Sequence, residues 1–312
     1  MKEENPLVSI IVITCNSAKY VLETLESAKA QTYQNIELIV SDDCSTDTTV
    51  ELCLDWIEEN KVRFARTNLI QVKKNTGIPS NCNRGVKAAQ GEWIKLIAGD
   101  DVLLDTAIFD YLDFVVERPD VKLLFAFSNR YKEAFKESNF IKKFPPAVPT
   151  LFTGESISAK NQFLMLLNNN TVNAPTVFLV KKIIDEVGGF DKRFRLIEDH
   201  PMWLKLTKAG YKFHFLPKIT VNHRFHNNAT DSFITKQLHK QSYFNNELFR
   251  KEYIYPNLTV IKKYNEQYKF FIRKIMNQLG LNRKIWFLEK LDQLFVKYLN
   301  PFAMLDYIKR KT

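Results

Sequence analysis

The sequence predicts an α/β domain, a mainly parallel sheet covered by helices on both sides, with a helical extension at its C-terminal end. Three observations predict it. Apolar, β-branched runs of strand length alternate with amphipathic helical stretches over residues 7–98. Those runs stop at polar groups: Thr14-Cys15-Asn16, Asp42-Asp43 and Asp100-Asp101. Finally, of 45 Lys and Arg against 35 Asp and Glu, residues 231–312 hold 16 against 7, which leaves a near-neutral 29 against 28 for residues 1–230. The expected division is therefore a main domain at 1–231 and a basic amphipathic helical region at 232–312.

The first run, Leu7 to Thr14, is apolar without alternation, the pattern of a strand buried on both faces. Ser17 is placed to cap the next helix, where Val21, Leu25 and Ala28 share one face and Glu23 and Glu26 fall outside it. A second strand, Ile36 to Val40, ends at Ser41-Asp42-Asp43-Cys44-Ser45-Thr46-Asp47, and a helix follows to about Glu59. A third strand is expected at Leu69 to Val72, a helix at Ser80 to Ala89, and a fourth strand at Trp93 to Ala98. Residues 131–158, with Pro145, Pro146 and Pro149, suggest an irregular connection or flap. Beyond it come a strand at Thr176 to Val180, a short helix at Lys182 to Val187 and a turn at Gly188-Gly189-Phe190-Asp191. A helix follows Leu196-Ile197-Glu198-Asp199, and a strand is expected at Lys218 to Val221.

In a sheet of this kind ligands gather beyond the carboxyl ends of the strands, where the polar groups lie. Asp100 and Asp101 would repel each other unless solvent or a cation separates them. The pair admits two readings, an Asp N-cap beside a solvated Asp, or ligands of a hard divalent cation shared with diphosphate oxygens. Asp42-Asp43 is either an Asx-turn or an acceptor for a base N–H or a ribose hydroxyl. Asn75-Thr76-Gly77, with Asn81 and Asn83, forms a polar loop before the fourth strand. Glu198-Asp199 either complements a helix dipole or supplies a general base. His223, Arg224 and His226 cluster after a strand, where His226 is an ordinary histidine or a ligand for metal or phosphate.

Taken in order, these groups resemble the family 2 glycosyltransferases of the GT-A fold. The matching blocks are Val8 to Val12 with Thr14-Cys15-Asn16, Ser41 to Asp47, Asn75-Thr76-Gly77 with Asn83-Arg84-Gly85, and Gly91-Glu92-Trp93-Ile94 to Gly99-Asp100-Asp101. Val187 to Asp191, Glu198-Asp199 and Arg224 to Asn228 complete the series. The resemblance implies inverting transfer of a sugar from a nucleoside-diphosphate donor, uridine preferred, to a saccharide or lipid-linked acceptor in bacterial cell-surface polysaccharide assembly. It implies that Thr14, Asn16, Asp43 and Asn83 bind the nucleotide sugar, Asp43 facing the base, with Asp100 at the ribose or metal. Asp101 would be the main ligand of Mn²⁺ or Mg²⁺, His226 would reach the metal or diphosphate, and Asp199 would be the catalytic base. Asn173 and Glu198 would lie on the acceptor side. Two positions depart from the family: Cys15 stands where a tyrosine is common, and Asn81-Cys82 where many members carry Ala-Arg before Asn83. The missing arginine removes a cation expected near the diphosphate, with Lys73 and Lys74 the nearest substitutes.

No stretch approaches the roughly 20 apolar residues of a membrane span, so the expected location is the cytosol. Cys15, Cys44, Cys53 and Cys82 are too scattered for a disulfide scaffold or a CxxC site. The tail carries apolar stripes, Phe270, Phe271, Ile275 and Leu279, then Ile285, Trp286, Leu288, Leu291, Leu294, Phe295 and Tyr298, among Lys and Arg. Such helices suit the anionic cytoplasmic face of a membrane or packing against the main domain or a second subunit in a homodimer. A nucleic-acid-binding role is disfavoured by the near-neutral body and its paired Asp residues. Nucleotidyl transfer is disfavoured by the lack of a Gly-rich loop after the first strand. An inactive relative acting in assembly is disfavoured by the presence of Asp101 and Asp199.

Overall fold

The structure, a computed structural model, describes residues 5–225, 247–279, 290 and 293–305. The chain divides into two compact units, Met1–Ala229 and Thr230–Thr312. The boundary expected at 231/232 falls outside the described residues.

The first unit begins with β1 (Val8–Thr14), α1 (Val21–Lys29), β2 (Ile36–Asp42), α2 (Thr49–Asn60), β3 (Arg66–Gln71), α3 (Ile78–Ala88) and β4 (Trp93–Ala98). All of β2 and all of β1 except Ile13 are buried, as continuous apolar runs require in parallel strands covered on both faces. The four strands pair in parallel in the order β3-β2-β1-β4. Their register sets Thr14 beside Asp42 and Ile13 beside Ala98, so the residues that follow three strands emerge together at one edge. Val21, Leu25 and Ala28 are fully buried, but α1 starts later than a cap at Ser17 would have it. The Ser17 carbonyl instead accepts the amides of Tyr20 and Val21, both at 2.9 Å, so a turn precedes the helix. α3 crosses β1 closely enough that a Cβ on Gly85 would sit 2.3 Å from Ile11 Cγ2. Packing therefore demands a glycine there.

The unit continues through β5 (Val102–Leu103), α4 (Ala107–Val116), β6 (Leu123–Lys132), β7 (Phe140–Phe144), α5 (Thr150–Thr153), α6 (Ala159–Leu166), β8 (Phe178–Val180), α7 (Lys181–Glu186), α8 (Asp199–Lys208) and β9 (His214–Phe225). The full sheet order is β3-β2-β1-β4-β8-β6-β9-β5, with β7 on β6. Beyond β4 the directions mix. β8 is antiparallel to β4 and β6, β9 is parallel to β6, and β5 is antiparallel to β9. The short β8 is braced by a stack of three rings: Phe178 lies 4.8 Å from Trp93 on one side and 4.8 Å from Tyr111 on the other. The stretch expected to be irregular from 131 to 158 holds a strand after all, since Phe140–Phe144 pairs antiparallel with the end of β6.

In the second unit α9 (Val260–Gln278) follows a π-helical turn at Arg250–Ile254 and a 3-10 turn at Tyr255–Asn257. Glu266 joins α9 to that turn through Arg250 at 2.6 Å and pairs with Lys269 at 2.8 Å. Of the expected apolar stripe, Phe271, Ile275 and Leu279 are exposed, together with Val260 and Tyr264. Ile285, Trp286, Leu288 and Leu291 lie outside the described residues. Among the described residues no helix is long and apolar enough to cross a membrane.

Candidate functional site

At the ends of β1 and β2 the chain turns back on its own side chains. Asp42 accepts the Thr14 hydroxyl at 2.8 Å and both the amide and hydroxyl of Ser45, at 2.8 and 2.5 Å. Asp42 is thus the anchor of an Asx-type turn, and Thr14 is buried against it. Asn16, exposed and in a left-handed conformation (φ 54°), accepts the Thr46 amide at 2.8 Å and ties the two loops together.

Asp43 has a different set of partners. Its nearly sealed carboxylate takes hydrogen bonds from the Thr76 amide and hydroxyl, the Gly77 amide at 2.7 Å and the Arg84 guanidinium at 2.7 Å. Burial alone raises such a group, but donation from Thr76, Arg84 and Gly77 outweighs it and holds the Asp43 carboxyl below its ordinary value. Arg84, two positions beyond the expected arginine, is therefore the cation of this corner. Lys73 and Lys74 are exposed and form no ion pair among the described residues. The 75–77 loop is held on its other side by Arg195. The Ile78 amide donates to the Arg195 carbonyl at 3.1 Å, and the Arg195 side chain donates to Asn75 Oδ1 at 2.8 Å. Gly77 (φ 90°) allows this approach, because a Cβ there would meet the Arg195 carbonyl at 3.0 Å.

At the end of β4, Asp100 is half-buried and Asp101 is only 2 % exposed. One Asp101 oxygen accepts the Arg224 amide at 2.8 Å; Oδ2 accepts no hydrogen bond among the described residues. The Asp101 carbonyl takes the Thr24 hydroxyl at 2.7 Å, which fastens the turn to α1. Burial, helped by the neighbouring Asp100 charge, pushes the Asp101 carboxyl well up, against the Arg224 amide, Lys95 and the Arg224 charge. The pair is a hard-oxygen donor set, which fits Mg²⁺ or Mn²⁺ completed by diphosphate and water oxygens. Among the described residues no group of three or more His, Cys, Asp or Glu could hold a metal by itself. His226 lies outside the described residues.

Arg224, on β9 and the first residue of the last family block, builds this corner. Its guanidinium is buried between the rings of Tyr20 and Phe135 and donates to the carbonyls of Asp100 and Glu133 and to Glu23. No signal near Arg224 in the sequence identifies those partners.

Lys95 on β4 is fully buried, its ammonium donating to the carbonyls of Pro175 and Leu96. Burial lowers it to about 7, opposed by the Asp101 charge. The unfolded chain keeps this proton up to its ordinary value near 10.5, so between about pH 7 and 10.5 the unfolded state holds a proton that the folded state lacks. Stability from this group therefore rises with pH across that window, by at most about 1.4 kcal/mol per unit. Urea denaturation at pH 7, 8 and 9 should find Lys95→Met most stabilising relative to the wild type at pH 7, with the gap narrowing as pH rises. A gap independent of pH would show that Lys95 is charged throughout.

On the expected acceptor side, Asp199 opens α8 and is half-buried. Its carboxylate accepts Asn170 Nδ2 at 2.7 Å and the His200 amide at 2.7 Å. Glu198 precedes it and is also half-buried. Asn173 is buried against β6 and β7, donating to Ser128 Oγ at 2.9 Å and Phe144 O at 3.3 Å, while its buried Oδ1 has no partner among the described residues. Asn83, expected at the nucleotide, has both amide atoms engaged elsewhere: it donates to Phe190 O and accepts Phe190 N, each at 2.8 Å. The Gly188-Gly189 turn brings the Phe190 backbone amide and carbonyl to it. A cavity of about 430 Å³ beside Asn83, between α3 and α7, is lined by Lys87, Lys181 and Lys192 and by none of the strand-end residues.

Residues 9–188, more than half the chain, match the family described as Glycosyl transferase family 2. An uncharacterized glycosyltransferase of Rickettsia conorii is 29% identical over 70% of this chain, but the match spans only 34% of that relative's own length. The Escherichia coli UDP-Glc:alpha-D-GlcNAc-diphosphoundecaprenol beta-1,3-glucosyltransferase WfaP is 28% identical over 76% of this chain and 84% of its own. Among solved structures, Staphylococcus aureus TarS 1-349 in complex with UDP-GlcNAc superposes with a TM-score of 0.61 at 20% identity, covering 93% of this chain and 79% of that one. That likeness identifies the GT-A arrangement of the sheet and its flanking helices. On the strength of the family match, with the fold in agreement, the chain belongs to glycosyl transferase family 2.

Proposed function

We propose that this chain transfers a sugar, with inversion, from a UDP-sugar to a hydroxyl of a saccharide or lipid-linked acceptor in cell-surface polysaccharide assembly, with Asp199 as the general base. The observation that carries the reading is the double attachment of the 75–77 loop, to Asp43 on one side and to Arg195, four residues before Asp199, on the other. One loop thus joins the expected donor side to the segment that leads into α8, where the expected base stands. Supporting it, the E. coli relative is named for a UDP-glucose donor and a diphosphoundecaprenol-linked acceptor, and the TarS structure holds UDP-GlcNAc.

In this reading Asp43 and Asn16 border the nucleotide, and Thr14 acts through Asp42. Asp100 and Asp101 would hold Mn²⁺ or Mg²⁺, which when bound offsets the charge developing on the leaving nucleoside diphosphate. Asp199 takes the proton of the acceptor hydroxyl as that oxygen attacks the anomeric carbon, a contribution of about 10²–10⁴-fold. The exposed apolar residues of α9, interleaved with Lys262, Lys263, Lys269 and Lys274, suit an anionic membrane surface near a lipid-linked acceptor.

The test is a panel of nucleotide sugars with and without Mn²⁺, scored by thermal shift and donor hydrolysis. A UDP-sugar at about 100 times its Kd should add about 2.7 kcal/mol of stability, a shift of several degrees. Absence of both binding and hydrolysis across the panel would overturn the proposal. Flotation with anionic and neutral liposomes tests the membrane reading, which fails if the chain stays at the bottom with both.

A further inference from the structure

Asp199 is held by a residue that lies outside the family's sequence blocks. Asn170 sits in the irregular segment between α6 and the 3-10 turn Ala174–Thr176, and its Nδ2 donates to Asp199 Oδ2 at 2.7 Å. The orientation of that amide is set by the chain itself, because Asn170 Oδ1 accepts the Val172 amide at 3.4 Å and so turns the NH₂ group toward the carboxylate. The other Asp199 oxygen takes the His200 amide at 2.7 Å, and the His200 ring lies 2.7 Å from the Leu166 carbonyl at the end of α6. The start of α8 is therefore joined at two points to the end of α6 and the segment that follows it.

Rotation of a carboxylate about its last side-chain bond is soft, with no sharp staggered minima. One backbone donor leaves that rotation loosely set. A second donor on the opposite oxygen removes the freedom. Each oxygen has two lone pairs, so each keeps one for an incoming proton after its bond to Asn170 or His200. We propose that Asn170 is the positioning residue of the general base, fixing the plane of the Asp199 carboxylate so that a lone pair faces the acceptor hydroxyl. The proposal rests on the reading of Asp199 as the base.

Loss of this donor acts on the chemical step and not on the donor nucleotide, which the proposed function places at the strand ends. Misorientation of a reacting group by about 1 Å costs up to about 10²-fold. Asn170→Ala should lower kcat for hydrolysis of the panel's most active UDP-sugar by about 10-fold or more, with KM for that donor and Kd for UDP within about twofold of wild type. Asn170→Asp, of the same size, faces a carboxylate with a carboxylate and should fall below Asn170→Ala. Asn170→Gln keeps an amide donor on a longer arm and should recover part of the loss. A residue that only tied the 167–173 segment to α8 would lose melting temperature and UDP affinity along with kcat, and would tolerate the isosteric Asp better than Ala.

Adding Asn170→Ala to Asp199→Asn should cost nothing further, since the two act as one unit. Full turnover in Asn170→Asp, or a drop in kcat matched by equal losses in UDP affinity and melting temperature, would overturn the proposal. Turnover retained in Asp199→Asn would overturn the base reading itself. Turnover lost in Asp199→Asn but kept in every Asn170 variant would overturn this inference alone.

Discussion

Asp199→Asn is expected to lower turnover of the donor sugar by about 10²–10⁴-fold, the range typical of a lost general base. Binding of UDP should change by less than about twofold. The substitution keeps the shape of the side chain and its oxygen can still accept the His200 amide, which now donates at 2.7 Å. What it loses is the proton acceptor, a negative charge at the start of α8 worth about 0.3–1 kcal/mol, and the bond from Asn170, whose NH₂ group would then face another, a loss of about 0.5–1.5 kcal/mol. The melting temperature should therefore fall by no more than about 10 °C. The proposed nucleotide side is separate, because the bonds among Asp42, Asp43, Thr76 and Arg84 include none to Asp199. Stopped assays of UDP release, with calorimetric titration of UDP on the same preparation, measure both quantities. Wild-type turnover in the variant would remove Asp199 from the chemistry, and equal losses of turnover and UDP affinity would assign it to binding.

The part of this architecture that could be read from sequence is the part governed by local pattern. β1, β2 and β4 lie inside the sheet, so burial writes itself as mostly apolar runs, and the expected span of β4 agrees with the structure residue for residue. β7 escaped because the side chains from Phe140 to Lys143 are exposed, so the strand carries no burial signature. The Ser17 cap failed for a related reason: the residue type was right for a turn, and the turn then took four residues before the helix began. The acidic residues of the site were legible because they stand where strands stop or a helix starts. Their partners were not. Asp43 is matched to Arg84 across 41 residues, Asp199 to Asn170 across 29, and Asp101 to the Arg224 amide across 123, and no local pattern specifies such pairings. Asn83 likewise bonds to the backbone of Phe190 across 107 residues, another pairing that no local pattern specifies.

Arg224→Ala should cause the largest loss of stability of any substitution at this site, about 3–5 kcal/mol, the range for breaking a buried charged network. The side chain is only 2 % exposed, and its guanidinium lies 4.2 Å from the centre of the Tyr20 ring and 4.0 Å from that of Phe135. Removing it opens a void between two rings and leaves the carbonyls of Asp100 and Glu133 without their donor. The pairing with Glu23 adds little to that sum, because Glu23 is 53% exposed and water screens it. For a unit of this size the loss corresponds to a fall of about 10 °C in melting temperature. Arg224→Lys keeps the charge but has no planar fork to reach two carbonyls and a carboxylate together, so it should lie between wild type and Ala. The same bonds predict a second effect. The Asp100 carbonyl that Arg224 holds belongs to the turn bearing both carboxylates, so loosening it should weaken Mn²⁺-dependent UDP binding even where Arg224→Lys remains folded. Guanidinium denaturation and UDP titration with and without Mn²⁺ separate the two effects. A melting temperature within about 1 °C of wild type in Arg224→Ala would contradict the assignment of Arg224 as the brace of the Asp100-Asp101 turn.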